Sequence, residues 1–363
     1  GHLAGHRRHP HQIVTAAPMT DYQAQCEARL LEGQWDQAQR AALAWVRHPA
    51  TGADRDPRPH FALNVIHLLR GEFAEAWKTH AECLQEPDDI AQVKEWIEGI
   101  VARQPEQANA HLVKGLFLAQ SGQSEQSIAS YKESITLAPQ SAYPHYFLAQ
   151  IHERANHLEM AIKEYREAVR LDPSYAPART NLGVAYQEQG RLEMAIPQYR
   201  DVIKLTPNDA TAHANLACAL AEQGKMEPAL QSYKEALRLN PNDAEVHFAL
   251  GGFYENRGRF DLAKKEYDAA LIADPNFGPA HSAIGWLALS NQHMQAAYEA
   301  FNRALKSNDQ DPRAYHGIAE YYSQKGKRES ALDNFAKALK YYKDPEKKNA
   351  ILNQLFQEGQ MAD

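Results

Sequence analysis

A period of 34 residues is the feature of this sequence that most restricts its fold. Prolines recur at that spacing at Pro105, Pro139, Pro173, Pro207, Pro241 and Pro275. Two columns of small residues follow the same period, one beginning at Gly115 and the other at Ser127. Self-similarity at a fixed period of this size predicts stacked structural repeats rather than a single globular core.

Each repeat has the pattern of two helices joined by a tight turn. The repeats begin at Ala108, Ala142, Ala176, Ala210, Ala244, Gly278 and Pro312. Within the third repeat, Leu182 and Tyr186 share one helical face, as the spacing of an amphipathic helix requires. Glycine marks the turn at Gly122, Gly190, Gly224, Gly258 and Gly326, with Asn156 and Gln292 as variants. Proline closes the second helix because it lacks a backbone donor.

A column of aromatic residues completes the repeat. Its members are Tyr131, Tyr165, Tyr199, Tyr233, Tyr267, Phe301 and Phe335. Small residues at a helix crossing allow two helix axes to approach closely, and an aromatic ring can fill the space beside them. One helix pair cannot bury its apolar face alone, so the pattern predicts an all-α solenoid of stacked, antiparallel helix pairs.

This pattern resembles the tetratricopeptide repeat family. Its 34-residue unit carries a small residue at position eight, alanine at twenty, an aromatic at twenty-four and proline at thirty-two. The stretch TNLGVAYQEQGRLEMAIPQYRDVIKLTPND matches nearly throughout, although Val202 stands where the family has a small residue at position twenty-seven. The resemblance implies a right-handed superhelical solenoid of antiparallel helix pairs.

The sequence divides into four regions. Residues 1–18 are rich in His and Arg and lack the apolar run of a secretory signal, so we expect a tag, an upstream leader or a disordered tail. Residues 19–105 form a degenerate, tetratricopeptide-like helical region that includes one extra helix in DDIAQVKEWIEGIVARQP. Residues 106–345 hold seven regular repeats. Residues 346–363 are expected to form a C-terminal capping helix with a polar outer face.

Composition excludes several classes of protein. A net charge of -7 and a pI of about 6.2 argue against nucleic-acid binding, which depends on Lys and Arg. No stretch approaches the roughly 18 apolar residues of a membrane span, so we expect no membrane insertion. Cys26, Cys83 and Cys218 are odd in number and far apart. They indicate neither a disulfide framework nor a zinc site, and they favour a cytoplasmic location.

The stretch HANLACA brings together the residue types of a cysteine protease, His213, Asn215 and Cys218. On a helix, however, His213 and Cys218 point about 140° apart and cannot share a proton. The stretch HERANH at 152–157 resembles the HExxH zinc signature but has one residue too many. We therefore predict no enzyme activity, no cofactor and no metal site.

Histidine recurs at position four of the repeats. The column comprises His111, His145, His213, His247 and His281. The family usually carries a bulky packing residue there. We therefore interpret these histidines as half-buried spacers between helices.

The resemblance implies that positions two, five, six, nine, twelve and thirteen of each first helix face a concave groove. Aromatic residues at these positions are Tyr143, Tyr146, Phe147, Phe248 and Trp286, and acidic ones include Glu153, Glu188, Glu222 and Glu255. Asn181 and Asn215 occupy position six of consecutive repeats, where amides can hold a peptide backbone. The alternative is that the glutamates and asparagines only solvate a helix face.

These features predict a non-enzymatic protein–protein interaction scaffold that binds a protein or peptide segment in an acidic, aromatic-studded concave groove. The glutamates favour a basic partner. The sequence has no Lys at any position five and no Asn at any position nine, which the chaperone-binding subclass of the family requires. Two alternatives remain: an architectural subunit of a larger assembly, which includes a homo-oligomer, and the recruitment arm of a separate catalytic chain.

Overall fold

Helices joined by short turns make up almost all of the described chain. The computed structural model describes residues 19–47, 56–70, 75–76 and 87–360, and these residues contain helices and no strands. The prediction for residues 1–18 and the residue Cys83 lie outside these ranges. An all-α chain built from consecutive helices is confirmed.

The N-terminal unit comprises Gly1–Tyr186. Its helices are α1 Met19–Leu31, α2 Trp35–Arg47, α3 Arg58–Arg70, α4 Pro87–Arg103, α5 Ala108–Gln120, α6 Ser124–Leu137, α7 Ala142–Arg154 and α8 Leu158–Leu171, followed by the start of α9 Ala176–Glu188. Helix α4 lies before the regular repeats; it begins one residue before the segment DDIAQVKEWIEGIVARQP and ends within it. Helices α5 and α6 pack as one pair, and α7 and α8 pack as the next.

The C-terminal unit comprises Gln187–Asp363. Its helices are α10 Leu192–Leu205, α11 Ala210–Glu222, α12 Met226–Leu239, α13 Ala244–Glu255, α14 Phe260–Ala273, α15 Gly278–Ser290, α16 Met294–Ser307, α17 Pro312–Gln324, α18 Arg328–Tyr341 and α19 Pro345–Gln360. The pairs α11–α12, α13–α14, α15–α16 and α17–α18 each pack together. First helices also contact the first helices of neighbouring pairs, as in α11 with α13 and α15 with α17.

The turn inside each pair uses the left-handed backbone conformation. Gly224 has a φ of 81°, and the other turn glycines, Gly122, Gly190, Gly258 and Gly326, also have positive φ. Asn156 and Gln292 occupy the same position with φ of 59° and 62°. Glycine reaches this region without steric cost, and Asn is the side chain that tolerates it best, which explains the turn column in the sequence.

Close approach of the two helices depends on the small and aromatic columns together. A Cβ atom built on Gly251 would overlap the ring of Tyr267, and one on Gly285 would overlap the ring of Phe301. Both rings are buried, as are the alanines of the second small column, such as Ala263. The ring of one helix therefore lies directly on the backbone of the other, and position eight must stay small.

The histidine column makes hydrogen bonds that its sequence pattern did not predict. The imidazole Nε2 of His111 donates to the carbonyl oxygen of Pro105 at 2.8 Å, and that of His281 donates to Pro275 at 2.9 Å. Arg179 takes the same place and donates from Nε to the carbonyl of Pro173 at 2.7 Å. The predicted half-burial holds for most of the column, while His281 is buried, with 8% of its surface exposed. Position four therefore ties most of the first helices to the end of the preceding repeat, whereas His145 instead contacts Glu164.

The terminal helix α19 is only partly the polar cap that was expected. Ile351 is buried against the cluster that contains Phe335 and Tyr342. Leu352 and Phe356 remain 47% and 66% exposed. The outer side of α19 therefore presents apolar surface. Among the helices of the described ranges, none combines the length and the hydropathy needed to cross a membrane.

Candidate functional site

The predicted groove residues fall into both units, and each unit is considered separately. In the N-terminal unit, Tyr146 is 0% exposed and Phe147 is 3% exposed, so the prediction that they offer open aromatic surface is wrong. Tyr146 packs edge-on against Tyr175 at a centroid distance of 5.1 Å, and Phe147 stacks on Tyr131 at 6.1 Å. These rings fill the space between successive helices, where a partner cannot reach them. Tyr143 is half-buried and contacts Tyr175 edge-on at 5.3 Å.

Asn181 lies over a hydrogen-bonded group of tyrosines in the same unit. Its Nδ2 is 3.3 Å from the hydroxyl of Tyr165 and 3.5 Å from that of Tyr146. The Tyr165 hydroxyl donates to Oε2 of Glu153 at 2.7 Å. Burial raises the pKa of both tyrosines, and the nearby Glu153 carboxylate raises each further. Glu153 and Asn181 are thus already engaged within the protein.

In the C-terminal unit, the first helices α11, α13, α15 and α17, together with Gln187 and Glu188 at the end of α9, present one surface, which we call the first-helix face. Asn215 on α11 is half-buried, and no side chain or backbone group in the described part of the chain hydrogen-bonds to its amide. Glu188 and Glu222 are exposed, and Glu222 accepts a hydrogen bond from Nε2 of Gln187 at 2.7 Å. Glu255 accepts a hydrogen bond from the hydroxyl of Tyr267.

The two predicted aromatics of this face are half-buried in ring clusters. Phe248 packs on Tyr267 at a centroid distance of 5.5 Å and on Phe277 at 5.6 Å. Trp286 donates from Nε1 to the carbonyl oxygen of Arg313 at 3.3 Å. It also contacts the ring of His316 edge-on at 4.9 Å. Both side chains shape the face, but only part of each ring is open to a partner.

A cavity of about 320 Å³ opens between α11 and α13, which we call the C-terminal cavity. Its lining consists of Cys218, Ala221, Glu222, Met226, Tyr233, Ala249, Gly252, Phe253, Asn256 and Arg257. The walls are largely apolar, and charged groups are limited to Glu222 and Arg257. Arg257 lies over the ring of Phe253, with its guanidinium carbon 5.2 Å from the centroid.

Two adjacent glycines on α13 have different roles at this cavity. Gly251 packs against Tyr267, where a Cβ atom would overlap the ring. A Cβ atom on Gly252 would meet only the Tyr267 hydroxyl, at 3.9 Å, which is an ordinary contact. Packing therefore requires the first glycine but not the second. The absence of a side chain at Gly252 leaves the cavity open.

The thiol in this cavity does not resemble a nucleophile. Sγ of Cys218 accepts a hydrogen bond from the Tyr233 hydroxyl at 3.3 Å, and burial raises the pKa of the thiol. A nucleophilic cysteine requires a lowered pKa and a neighbouring base. His213 instead donates to the Pro207 carbonyl at 3.0 Å. The residues of HANLACA thus belong to three different environments.

Several residues of the C-terminal cavity were missed by sequence reasoning. Met226, Phe253 and Arg257 lie outside the positions that the resemblance assigns to the groove. The one available signal was the pair Gly251–Gly252, since a single small residue is enough for helix packing. Within the described ranges, no group of three or more His, Cys, Asp or Glu side chains is arranged to hold a metal ion.

Comparisons with known proteins agree with this fold. Sequence models described as "TPR repeat" match residues 154–190, 188–224 and 218–258. Models described as "tetratricopeptide repeat" match residues 254–314, 108–141 and 312–345. Together they cover more than half of the chain. No curated protein matches the sequence significantly.

Solved structures show the same architecture. A tetratricopeptide repeat protein from Parabacteroides merdae aligns with a TM-score of 0.60 and 15% identity, covering 69% of this chain and 98% of that chain. Yeast Tom70 aligns with a TM-score of 0.55 and 13% identity over 95% of this chain and 89% of its own. Cut9–Hcn1 of the APC/C aligns with a TM-score of 0.55 and 14% identity over 93% and 69%.

Identities this low show the fold alone, whereas the sequence models identify the repeats themselves. Repeats of this kind generally act as non-catalytic scaffolds for protein–protein interaction. The chain belongs to the tetratricopeptide repeat family.

Proposed function

We propose that this protein is a non-enzymatic scaffold that binds a basic segment of a protein partner on the first-helix face of the C-terminal unit. The observation that carries the proposal is the C-terminal cavity, which combines an apolar interior with the Glu222 carboxylate at its edge. Such a cavity suits one large apolar side chain of the partner. A buried anchor of this kind usually supplies most of the affinity of a peptide interface.

Charge on the same unit favours a basic segment. Glu188, Glu222 and Glu245 are exposed first-helix carboxylates of this unit, whereas Arg313 is half-buried. Arg257 is the cation that lines the cavity itself. Complementary charge mainly sets specificity and the rate of association, and added salt screens it. Asn215 supports the proposal because its amide is free to pair with a peptide backbone.

A peptide library tests the proposal directly. Phage-displayed peptides would be selected against the full chain, and dissociation constants of the enriched peptides would be measured. We expect enrichment of a large apolar residue flanked by Lys or Arg. The double variant Glu188→Gln with Glu222→Gln should bind these peptides about tenfold more weakly at low salt, with a smaller difference at high salt.

The matched control removes two exposed carboxylates from second helices, in Glu193→Gln with Glu227→Gln. This variant has the same net charge as the test variant, so equal loss of affinity in both would contradict a site on the first-helix face. Enriched peptides without basic residues would contradict the preference for a basic partner.

A second candidate is an architectural subunit that uses the apolar outer side of α19. The exposure of Leu352 and Phe356 favours it, since adjacent exposed apolar side chains often mark an interface. Size-exclusion chromatography with light scattering distinguishes this candidate. An oligomer that Phe356→Ser dissociates would support it, and a monomer at high concentration would contradict self-assembly.

A further inference from the structure

The N-terminal unit contains a second cavity, whose lining includes a predicted groove position, Arg154 at position thirteen of its repeat. It has a volume of about 420 Å³ and lies where the turn ends of the pairs α5–α6 and α7–α8 meet; we call it the N-terminal cavity. Its apolar walls include Ile128, Ile151 and Met160, and Met160 is 51% exposed at the opening. The HERANH stretch supplies its polar residues, among them His152, Arg154 and His157.

His152 is the most unusual of these residues because it is buried without a hydrogen-bond partner. Its exposed fraction is 9%, and no group in the described part of the chain hydrogen-bonds to its ring. The nearest aromatic neighbour is the ring of His157, at a centroid distance of 6.4 Å. A ring nitrogen that makes no hydrogen bond within the protein is available to a ligand that enters the cavity. The cavity is the space from which such a ligand can reach the imidazole.

One permanent cation, Arg154, lines the same space. Arg154 is exposed, and among the described residues no carboxylate lies within ion-pair distance of its guanidinium. Ser124 and Glu125 form the first turn of α6, whose N-cap residue Gln123 makes no side-chain cap hydrogen bond. The backbone N–H groups of that turn can therefore donate hydrogen bonds to an anion, which the helix dipole also favours. The Glu125 carboxylate repels an anion. The negative charge of the ligand must therefore lie close to Arg154 and His152.

We propose that the N-terminal cavity binds a carboxylate attached to an apolar group. The carboxylate pairs with Arg154 and hydrogen-bonds to His152, while the apolar group packs against Ile128, Ile151 and Met160. The site does not depend on the proposed peptide-binding face, which lies in the other unit. Two sources share this chemistry, namely a free amphiphilic carboxylate and the C-terminal residue of a peptide that ends in an apolar side chain.

Binding of an anion should be coupled to a proton on His152. Burial lowers the pKa of this imidazole, Glu164 raises it, and the neighbouring side chains of His157 and Lys132 lower it further. Glu125 and Arg154 also line the cavity, and Glu164 already contacts Nδ1 of His145 at 2.7 Å. A bound carboxylate adds negative charge beside the ring. By reciprocal linkage it favours the imidazolium, and protonation of His152 favours the ligand.

Octanoate and N-acetyl-leucine are the probes for the two sources, and octanol and N-acetyl-leucinamide are their uncharged counterparts. Binding to the full chain would be measured by isothermal titration calorimetry at pH 6 and pH 8, where both carboxylates stay ionised. We expect at least one carboxylate probe to bind about fivefold more tightly at pH 6 than at pH 8, and its uncharged counterpart to bind at least about tenfold more weakly. The carboxylate probe that binds more tightly identifies the source of the ligand, octanoate for a free amphiphilic carboxylate and N-acetyl-leucine for a peptide C-terminus.

Variants locate the site. His152→Gln should remove the pH dependence, and Arg154→Gln should weaken binding by about tenfold. Arg166→Gln, which removes an exposed cation from α8 in the same unit, is the matched control and should bind as the unmodified protein does. Thermal melting of each variant confirms that it is folded. The proposal is overturned if neither carboxylate binds below about 10 mM, if the uncharged probes bind equally well, or if Arg154→Gln behaves as Arg166→Gln does.

Discussion

Nε2 of His213 lies 3.0 Å from the carbonyl oxygen of Pro207, six residues earlier in the chain. His247 makes the same contact with Pro241 at 3.1 Å, and Nδ1 of His247 also meets Oε2 of Glu266 at 2.8 Å. Since a carbonyl oxygen can only accept, the ring nitrogen must donate. The side chain at position four of these two repeats therefore satisfies a carbonyl at the junction with the preceding repeat.

Replacement of His213 by leucine should destabilise the protein because the Pro207 carbonyl loses its donor. We expect the free energy of unfolding to fall by about 1 kcal/mol. His213→Arg should restore most of it, since Arg179 makes the equivalent bond to Pro173. Urea denaturation measures both, and equal stability of the leucine and arginine variants would mean that only packing matters at this position.

Adjacent glycines on α13 should respond in opposite directions to the same substitution. Gly251→Ala should lower the free energy of unfolding by about 1–3 kcal/mol, because its Cβ overlaps the Tyr267 ring. Gly252→Ala should raise it by about 0.5–1 kcal/mol, because alanine is the better helix former and has room. Denaturation curves of the two variants provide the test, and destabilisation by Gly252→Ala would show that the cavity wall has no spare space.

A larger side chain at the second of these positions tests the cavity rather than stability. Gly252→Leu should fill the C-terminal cavity and weaken peptides selected against the unmodified chain by about tenfold or more. Gly252→Ala fills little of the volume and serves as the matched control. Undiminished affinity of the leucine variant, with its fold intact, would exclude the cavity as the anchor site.

The free energy of unfolding should decrease as the pH is lowered, and part of this decrease should depend on His152. Burial lowers the pKa of this imidazole below its ordinary value of about 6.5, so the folded state prefers the neutral ring. The unfolded state then binds more protons, and the stabilisation present above about pH 6.5 is lost as the pH falls below it. His152→Gln should therefore show a smaller loss of stability between pH 7.5 and 5.5. An unchanged pH dependence would contradict this assignment.

Alkylation measures the state of the Cys218 thiol. Its raised pKa, caused first by burial, should make reaction with iodoacetamide at pH 8 about tenfold slower than that of a free thiol. Cys26 should react more slowly still, because it is fully buried and its pKa is raised to about 12. Peptide mass spectrometry follows each site separately. Rapid modification of Cys218 would contradict a raised pKa and would indicate a nucleophilic thiol in HANLACA.

The two asparagines predicted to act alike should differ in their effect on stability. Asn181→Ala removes contacts with the Tyr146 and Tyr165 hydroxyls and should cost up to about 1 kcal/mol. Asn215→Ala removes no such contact and should change stability by less than about 0.5 kcal/mol, while it weakens bound peptides. Thermal melts and binding measurements on both variants distinguish these roles. A large loss of stability in Asn215→Ala would show that this amide is structural.

Much of the fold could be predicted because each repeat is built from local signals. The Pro spacing, the turn glycines and the small and aromatic columns each constrain backbone or packing within about 34 residues. The candidate site was less predictable. Phe147 stands at position six of its repeat, which predicts the face of the helix on which its side chain lies. Its burial could not be predicted in this way, because it depends on the ring of Tyr131 from a different helix.

The sequence by itself determined the helix pairs, their turns and the membership of the family, because those depend on periodicity and on backbone chemistry. Only the tertiary structure decided which side chains are open to a partner. Tyr146 and Phe147 are buried in the core, whereas Gly252, which has no side chain, leaves an opening between two helices. That distinction depends on how neighbouring repeats fill the volume beside each residue, and this volume is set by contacts between helices.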